Sequence, residues 1–175
     1  DKMVRRHPHV FRSESHKNQD AQRASWETQK AAERQEKAET SGQKSGAIDG
    51  VPLALPALTR AEKLGKRAAR VGFEWPDLQG PLEKLQEELS ELHYEINADA
   101  PPERLSDEIG DVLFSVVNLA RHLHIDPESA LRHSNAKFER RFRFIEDSLA
   151  AEGRSVADTT LDDMEDRWKA AKRKE

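Results

Sequence analysis

The sequence predicts an all-α protein, an antiparallel helix bundle. Three observations carry this. Leu78, Leu82, Leu85, Leu89, Leu92 and Ile96 step alternately by four and three residues, the spacing of one helix face. Leu105, Ile109, Val112, Val116, Leu119 and Leu123 repeat the pattern after Pro101-Pro102, so two helices follow each other through a short break and pack antiparallel. No stretch alternates apolar and polar residues for long enough to make a strand.

The elements follow in chain order. Residues 1–40 are strongly polar, and 20–39 read as a helix with little apolar surface, anchored only by Trp26. The opening DKMVRRHPHVF reads as the end of a helix cut through its middle, and residue 1 is Asp, so the chain reads as a fragment or a processed chain. Residues 41–56 hold three Gly, two Pro and two Ser, a linker composition. Thr59 is placed to cap a helix running to about Val71, with Glu62 at the capping-box position and Gly72 to end it. GFEWPDLQGP makes a compact turn before the first long helix, with Phe73 and Trp75 read as core or lid residues. Asp126-Pro127 marks a helix start, cap followed by first-turn proline, and Gly153 stops that helix after about Glu152. Thr160 and Asp163 open a last helix containing Met164 and Trp168.

Composition sets bounds. Hydrophobic residues are 35% of the chain and charged residues another 35%, so part of it lies outside any core. A net charge of −4 gives no electrostatic basis for nucleic-acid binding. No apolar run reaches membrane length and no secretory signal is visible. Cysteine is absent, which excludes disulfides and thiolate metal sites and fits a cytoplasmic protein.

The chemistry concentrates in two acidic clusters, Glu87-Glu88-x-x-Glu91 and Glu108-x-x-Asp111, one on each striped helix. Glu88 and Glu91 share a face, and each precedes a stripe leucine, so each borders the apolar seam. Glu108 and Asp111 stand in the same relation to Ile109 and Val112, and the polar line continues through Ser115 and Asn118 between apolar flanks. Carboxylates that meet in such a place repel one another and take up protons unless a cation neutralises them. Every donor is a hard oxygen, which selects Mg²⁺ or Mn²⁺. On the next helix Lys137 and Arg141 lie one turn apart beside Phe138, Phe142 and Ile145, a spacing that suits a phosphate chain but also an ordinary basic face paired with Glu139 and Glu146. Trp168-x-x-x-Lys172 offers an indole that either covers a nucleobase or anchors the terminal helix. Lys2-x-x-x-Arg6 and Trp26-x-x-x-Lys30 echo these two pairs, a decayed tandem repeat in which residues 1–40 end an upstream copy.

Taken together, EELSE, EIGD, VGFEWP, LFSVVNLARHL and KFERRFR resemble the MazG family of nucleoside triphosphate pyrophosphohydrolases, an all-α superfamily. The match is close over 57–175, which the resemblance makes the catalytic domain, and looser over 1–40. It implies Mg²⁺-dependent hydrolysis of nucleoside triphosphates to monophosphate and pyrophosphate, a nucleotide-pool housecleaning role, and a homodimer. It also implies residue roles. Glu88, Glu91, Glu108 and Asp111 hold the metal; Lys84, Glu87, Glu88, Asp107, Lys137, Arg141, Trp168 and Lys172 line the nucleotide, Asp107 standing where relatives often carry Glu. Glu87 positions or deprotonates the attacking water. Alternatives are a narrower dUTP/dCTP or phosphoribosyl-ATP pyrophosphohydrolase, or a helical dimerisation module without chemistry. A ferritin-like di-iron bundle is disfavoured, because none of the seven His has Glu three residues before it.

Overall fold

The computed structural model describes residues 46–175. The expected upstream copy in 1–40, with Lys2, Arg6, Trp26 and Lys30, and the first part of the linker lie outside the described residues. Val51–Glu175 forms one compact unit. Its helices are α1 (Ala57–Arg70), α2 (Gln79–Asn97), α3 (Pro102–His122), α4 (Pro127–Ala150) and α5 (Leu161–Arg173), with a single 3₁₀ turn at Val156–Asp158 before α5. Among the described residues there is no strand, as expected.

Apart from α2, which begins at Gln79 within the stretch 72–81 expected as a turn, helix starts follow the sequence signals with one exception. Pro102 and Pro127 occupy the first turns of α3 and α4, where a missing N–H costs nothing. The Asp126 carboxylate accepts from the Ser129 N–H at 2.8 Å, and this backbone bond holds the Asp126 carboxyl below its ordinary range. Thr160 caps α5 by accepting from the Asp163 N–H. The exception is Thr59. α1 begins two residues earlier, with Pro56 as its cap residue and the Arg60 N–H already bonded to the Pro56 carbonyl at 2.9 Å. Thr59 therefore sits inside the first turn, and Glu62 pairs with Lys66 at 2.5 Å instead of reaching back to a cap.

Four helix ends share one device. A residue just past the cap turns left-handed, and the following N–H reaches back five residues, as in the Schellman motif. Gly72 (φ 90°) and Gly153 (φ 74°) do this for α1 and α4, the latter ending at Ala150, slightly before the expected Glu152. Asp99 (φ 49°) and His124 (φ 57°) do it for α2 and α3 without glycine. The long back-bonds, Ala100 N–H to Glu95 and Ile125 N–H to Ala120, measure 3.0 and 2.8 Å.

α2 and α3 form the most extensive helix pair, a hairpin closed by four residues; α1 packs on α3 and α4, and α4 carries α5. The apolar stripes lie differently from the sequence expectation. Leu85, Leu92, Leu105, Val112 and Leu119 are half-buried, but Leu82, Leu89 and Ile96 remain 44, 44 and 54% exposed. Ile109, Val116 and Leu123, also seven residues apart, remain 49, 44 and 47% exposed. The hairpin's inner face is set one residue away from these positions: Glu88 and Glu108 are buried beside exposed Leu89 and Ile109. The fully buried apolar set is small, with Val117, Ile145 and Leu149 at its centre.

Candidate metal and nucleotide site

The antiparallel hairpin brings Glu88 and Glu91 of α2 opposite Glu108 of α3. One carboxylate oxygen from each lies within 4.8 Å of the other two. Glu88 and Glu108 are only 5 and 8% exposed, so these charges sit inside the α2–α3 contact rather than at its border. Ser115, two turns along α3 from Glu108, is buried on the same helix, and Asn118 is half-buried. Asp111 is exposed and is not in the 4.8 Å group; Asp107 is exposed as well.

Two cations offset part of this charge. Lys84 Nζ lies 2.7 Å from Glu87 Oε1 and 2.8 Å from Glu88 Oε1, and those two hydrogen bonds hold the ammonium above its ordinary pKa. Arg104 Nη2 donates to Glu95 Oε1 at 2.5 Å and lies 3.4 Å from Glu108 Oε1. The Glu91 carboxyl is pushed up, first by loss of hydration and then by the charge of Glu88, with Glu108 adding to it. Glu91 belongs to an exposed residue, so the like charges are the chemically telling cause. A group of three hard-oxygen donors, two of them buried and one resisting ionisation, fits a divalent cation in donor type and charge.

The cationic residues stand elsewhere in the chain's fold, on α4 and α5. Arg141 donates through Nε and Nη2 to Glu175 Oε2 at 3.1 and 2.5 Å, and its guanidinium lies 5.5 Å from the Trp168 ring centre. Trp168 packs on Phe138 with ring centres 5.3 Å apart. Lys137 is half-buried and Lys172 exposed. The hydrogen bond from Arg141, and then the charges of Arg141, Arg140 and Lys137, hold the Glu175 carboxyl below its ordinary range. Among the described residues no ion pair joins this cationic group to the acidic one.

One network was not legible in the sequence. Arg121 donates to both carboxylate oxygens of Glu74, and its Nε and Nη2 also reach Asn118 Oδ1 at 3.0 and 2.7 Å. His122 Nε2 approaches Glu74 Oε1 at 2.7 Å but lacks hydrogen-bond geometry. Gly65 of α1 faces Arg121 so closely that a Cβ there would lie 3.2 Å from its Nε. A Cβ on Gly80 would fall 2.0 Å from the Trp75 ring, so that glycine admits the indole against the start of α2. The turn at 71–78 is thereby fastened to α3 through Glu74 and to α2 through Trp75, just ahead of Lys84. Phe73 is 77% exposed and belongs to no core. No signal short of the fold pairs Glu74 with Arg121, 47 residues apart.

The Arg121 hydrogen bonds hold the Glu74 carboxyl at about 2 against an ordinary 4.5. A depressed carboxyl stabilises the fold above its unfolded pKa, and that contribution is lost as pH falls through the folded value. Glu74→Gln should therefore cost about 1 kcal/mol at neutral pH, the scale of a partly exposed pair. Its stability deficit relative to wild type should shrink between about pH 4.5 and pH 2. Urea midpoints across that range check it; a deficit that does not change with pH would mean that the carboxylate charge is not what fastens the turn.

Comparisons place these features among known proteins. Residues 78–144 match the MazG nucleotide pyrophosphohydrolase domain. The chain is 46% identical over 176 residues to a nucleoside triphosphate pyrophosphohydrolase of Escherichia coli (strain K12), all of this chain aligning with 65% of that protein. It is 38% identical over 175 residues to the nucleoside triphosphate pyrophosphohydrolase/pyrophosphatase MazG of Thermotoga maritima, where 98% of this chain aligns with 62% of the relative. The uncharacterized protein YabN of Bacillus subtilis is 43% identical over 176 residues, with 35% of its length covered. The chain thus spans less than two thirds of the length of each of these relatives.

Proposed function

The chain carries a MazG-family domain over residues 78–144, and from that premise we propose that it hydrolyses nucleoside triphosphates to nucleoside monophosphate and pyrophosphate with Mg²⁺, or Mn²⁺ in its place. The convergence of Glu88, Glu91 and Glu108 within 4.8 Å, two of them buried, carries the proposal. Three carboxylates in that setting hold a divalent cation, with Asp111 as a further ligand one helical turn beyond Glu108. Such a cation, when bound, supplies charge neutralisation for the phosphates and for the pyrophosphate leaving group. Lys84, on the rim at 2.8 Å from Glu88, would face the triphosphate when a cation is bound. Glu87, exposed on the same turn of α2, positions or deprotonates the water. Lys137, Arg141, Trp168 and Lys172 bind the nucleotide from α4 and α5, and Asp107 adds an outer contact. Cleavage between the α and β phosphates follows from the family. The relatives' names support this reaction: two of them are nucleoside triphosphate pyrophosphohydrolases.

The active form in this proposal is a homodimer. The exposed heptad-spaced residues of α2 and α3 make an apolar face along both helices, the kind that a second antiparallel hairpin covers. Residues 57–175 are the catalytic domain, 41–56 a linker and 1–40 the end of an upstream copy. No described helix is long and apolar enough to cross a membrane, and we place the protein in the cytoplasm, serving the nucleotide pool.

Pyrophosphate release from a panel of common and damaged nucleoside triphosphates, with and without Mg²⁺, tests the reading. Mg²⁺-dependent release from several bases is expected. Turnover of dUTP and dCTP alone, or of phosphoribosyl-ATP alone, would select the narrower enzymes, and no release from any of them would leave a helical dimerisation module.

A further inference from the structure

Past the last turn of α5 the chain folds back onto α4. The Lys174 ammonium lies 4.5 Å from the centre of the Phe144 ring. Glu175 then reaches Arg141, three residues before Phe144 on the same helix. Arg141 Nε and Nη2 both donate to Glu175 Oε2, at 3.1 and 2.5 Å. Arg140 Nη2 lies 3.6 Å from Oε1, so each oxygen of the carboxylate faces a guanidinium. The charge of Lys137 acts on the same carboxyl. The Arg141 side chain is only 15% exposed and has the Trp168 ring centre 5.5 Å from its guanidinium, so it has little room to turn to another partner. Three cations of α4 thus converge on one carboxylate. A carboxylate and a phosphate offer a guanidinium the same acceptors, a pair of oxygens sharing negative charge.

We propose that Glu175 sets the nucleotide affinity of the site: its carboxylate occupies the phosphate place on Arg141, and a nucleoside triphosphate binds there by displacing it. This rests on the proposed hydrolysis, in which Lys137 and Arg141 bind the nucleotide. A phosphate that needs the Nε and Nη2 edge of Arg141 must break both hydrogen bonds to Glu175. The displaced carboxylate stays close by, because it follows α5 directly and Lys174 rests on Phe144. It therefore competes as an intramolecular anion, at high effective concentration. The competition has the strength of a partly exposed ion pair, enough to weaken nucleotide binding by a small factor without closing the site. Displacement precedes chemistry and is the same for bound substrate and transition state, so it raises KM and leaves kcat alone. A carboxylate that only held Arg141 in its binding pose would act with the opposite sign, since its loss would weaken the nucleotide.

The test compares wild type with Glu175→Gln, Glu175→Ala and Glu165→Gln, the last removing an exposed carboxylate from elsewhere on α5. Calorimetry reads binding of a non-hydrolysable nucleoside triphosphate in Mg²⁺. Pyrophosphate release from one nucleoside triphosphate reads KM and kcat, and thermal unfolding checks the fold. Both Glu175 variants should bind the analogue about two- to fivefold more tightly and lower KM by a similar factor, with kcat unchanged. Glu165→Gln should leave both constants as in wild type. Equal tightening by all three variants would make net charge the cause, and the proposal would be wrong. Unchanged or weaker binding in the Glu175 variants, with Mg²⁺-dependent turnover in every protein, would overturn it and leave the hydrolase reading intact. Tighter analogue binding by the Glu175 variants alone, without turnover in any protein, would uphold the competition and remove the hydrolase reading. If no protein binds the analogue, both fall. Should one Glu175 variant unfold, the other carries the decision.

Discussion

Replacing Glu88 by alanine is expected to abolish nucleotide turnover and leave the helices intact. The carboxylate is 5% exposed and belongs to the 4.8 Å group, so in the proposed site its loss would remove a buried cation ligand. The fold should survive for a reason visible in the ion pairs. Lys84 keeps Glu87 at 2.7 Å after Glu88 is gone, so no cation is left buried without a partner. Glu91 and Glu108 are each relieved of the repulsion of Glu88, and the Glu91 carboxyl should relax toward its ordinary pKa. A fall in kcat/KM of about three orders of magnitude is expected, the scale of losing a preorganised electrostatic contact in an active site. Thermal unfolding supplies the second readout. Wild type at a hundredfold excess of Mg²⁺ over Kd should gain about 2.7 kcal/mol by mass action, and Glu88→Ala should gain little. Without Mg²⁺ the variant should melt no lower than wild type. Near-native turnover, or an undiminished Mg²⁺ shift, would remove Glu88 from the cation site.

The second large effect concerns association. Leu89→Glu combined with Val116→Glu should convert a dimer into a monomer without unfolding the hairpin. Both residues are 44% exposed in the single chain, so a charge at either meets water there. Across a helix pair the same positions fall on the heptad line, where full burial of each large apolar side chain is worth about 1.5–3 kcal/mol. The double variant would lose that burial in both copies and oppose four like charges, a cost of at least about 4 kcal/mol, or a thousandfold in dimer Kd. Sedimentation velocity at micromolar concentration reads this directly. A variant that still sediments as a dimer would place the interface on another face, and a wild type that sediments as a monomer would leave the α2–α3 face without the proposed partner.

Much of the bundle was legible because helix spacing and punctuation are local. The two apolar stripes, the Pro101-Pro102 break and Asp126-Pro127 each act over a few residues, and the helices lie where they point. The first start was misplaced because Pro56 and Thr59 compete for the same turn. A proline carbonyl that already accepts the Arg60 N–H leaves threonine nothing to cap. Rotation of α2 was a harder matter. A stripe read from spacing shows which leucines share a face, but not whether that face looks into its own hairpin or toward another molecule. Glu88 inside and Leu89 outside is the orientation the folded chain adopts. Three of the four expected metal ligands met, since they recur at helical spacing on two adjoining helices. Arg104 carried a signal of the same kind, four residues before Glu108, but its tether to Glu95 exists only once the hairpin closes. Glu74 and Arg121 had no local signal, because a contact between distant residues is a property of the fold.

Lys84 and Arg104 bear on the order of assembly. Each already sits against a carboxylate that a divalent ion would claim, at 2.8 and 3.4 Å. A newly made chain can therefore close its hairpin on internal counter-ions and take up metal afterwards, rather than waiting for metal as a nucleus for folding. Scarcity of divalent ions during synthesis would then delay activity but not the accumulation of folded protein. Loading would then be an exchange of one set of positive charges for another.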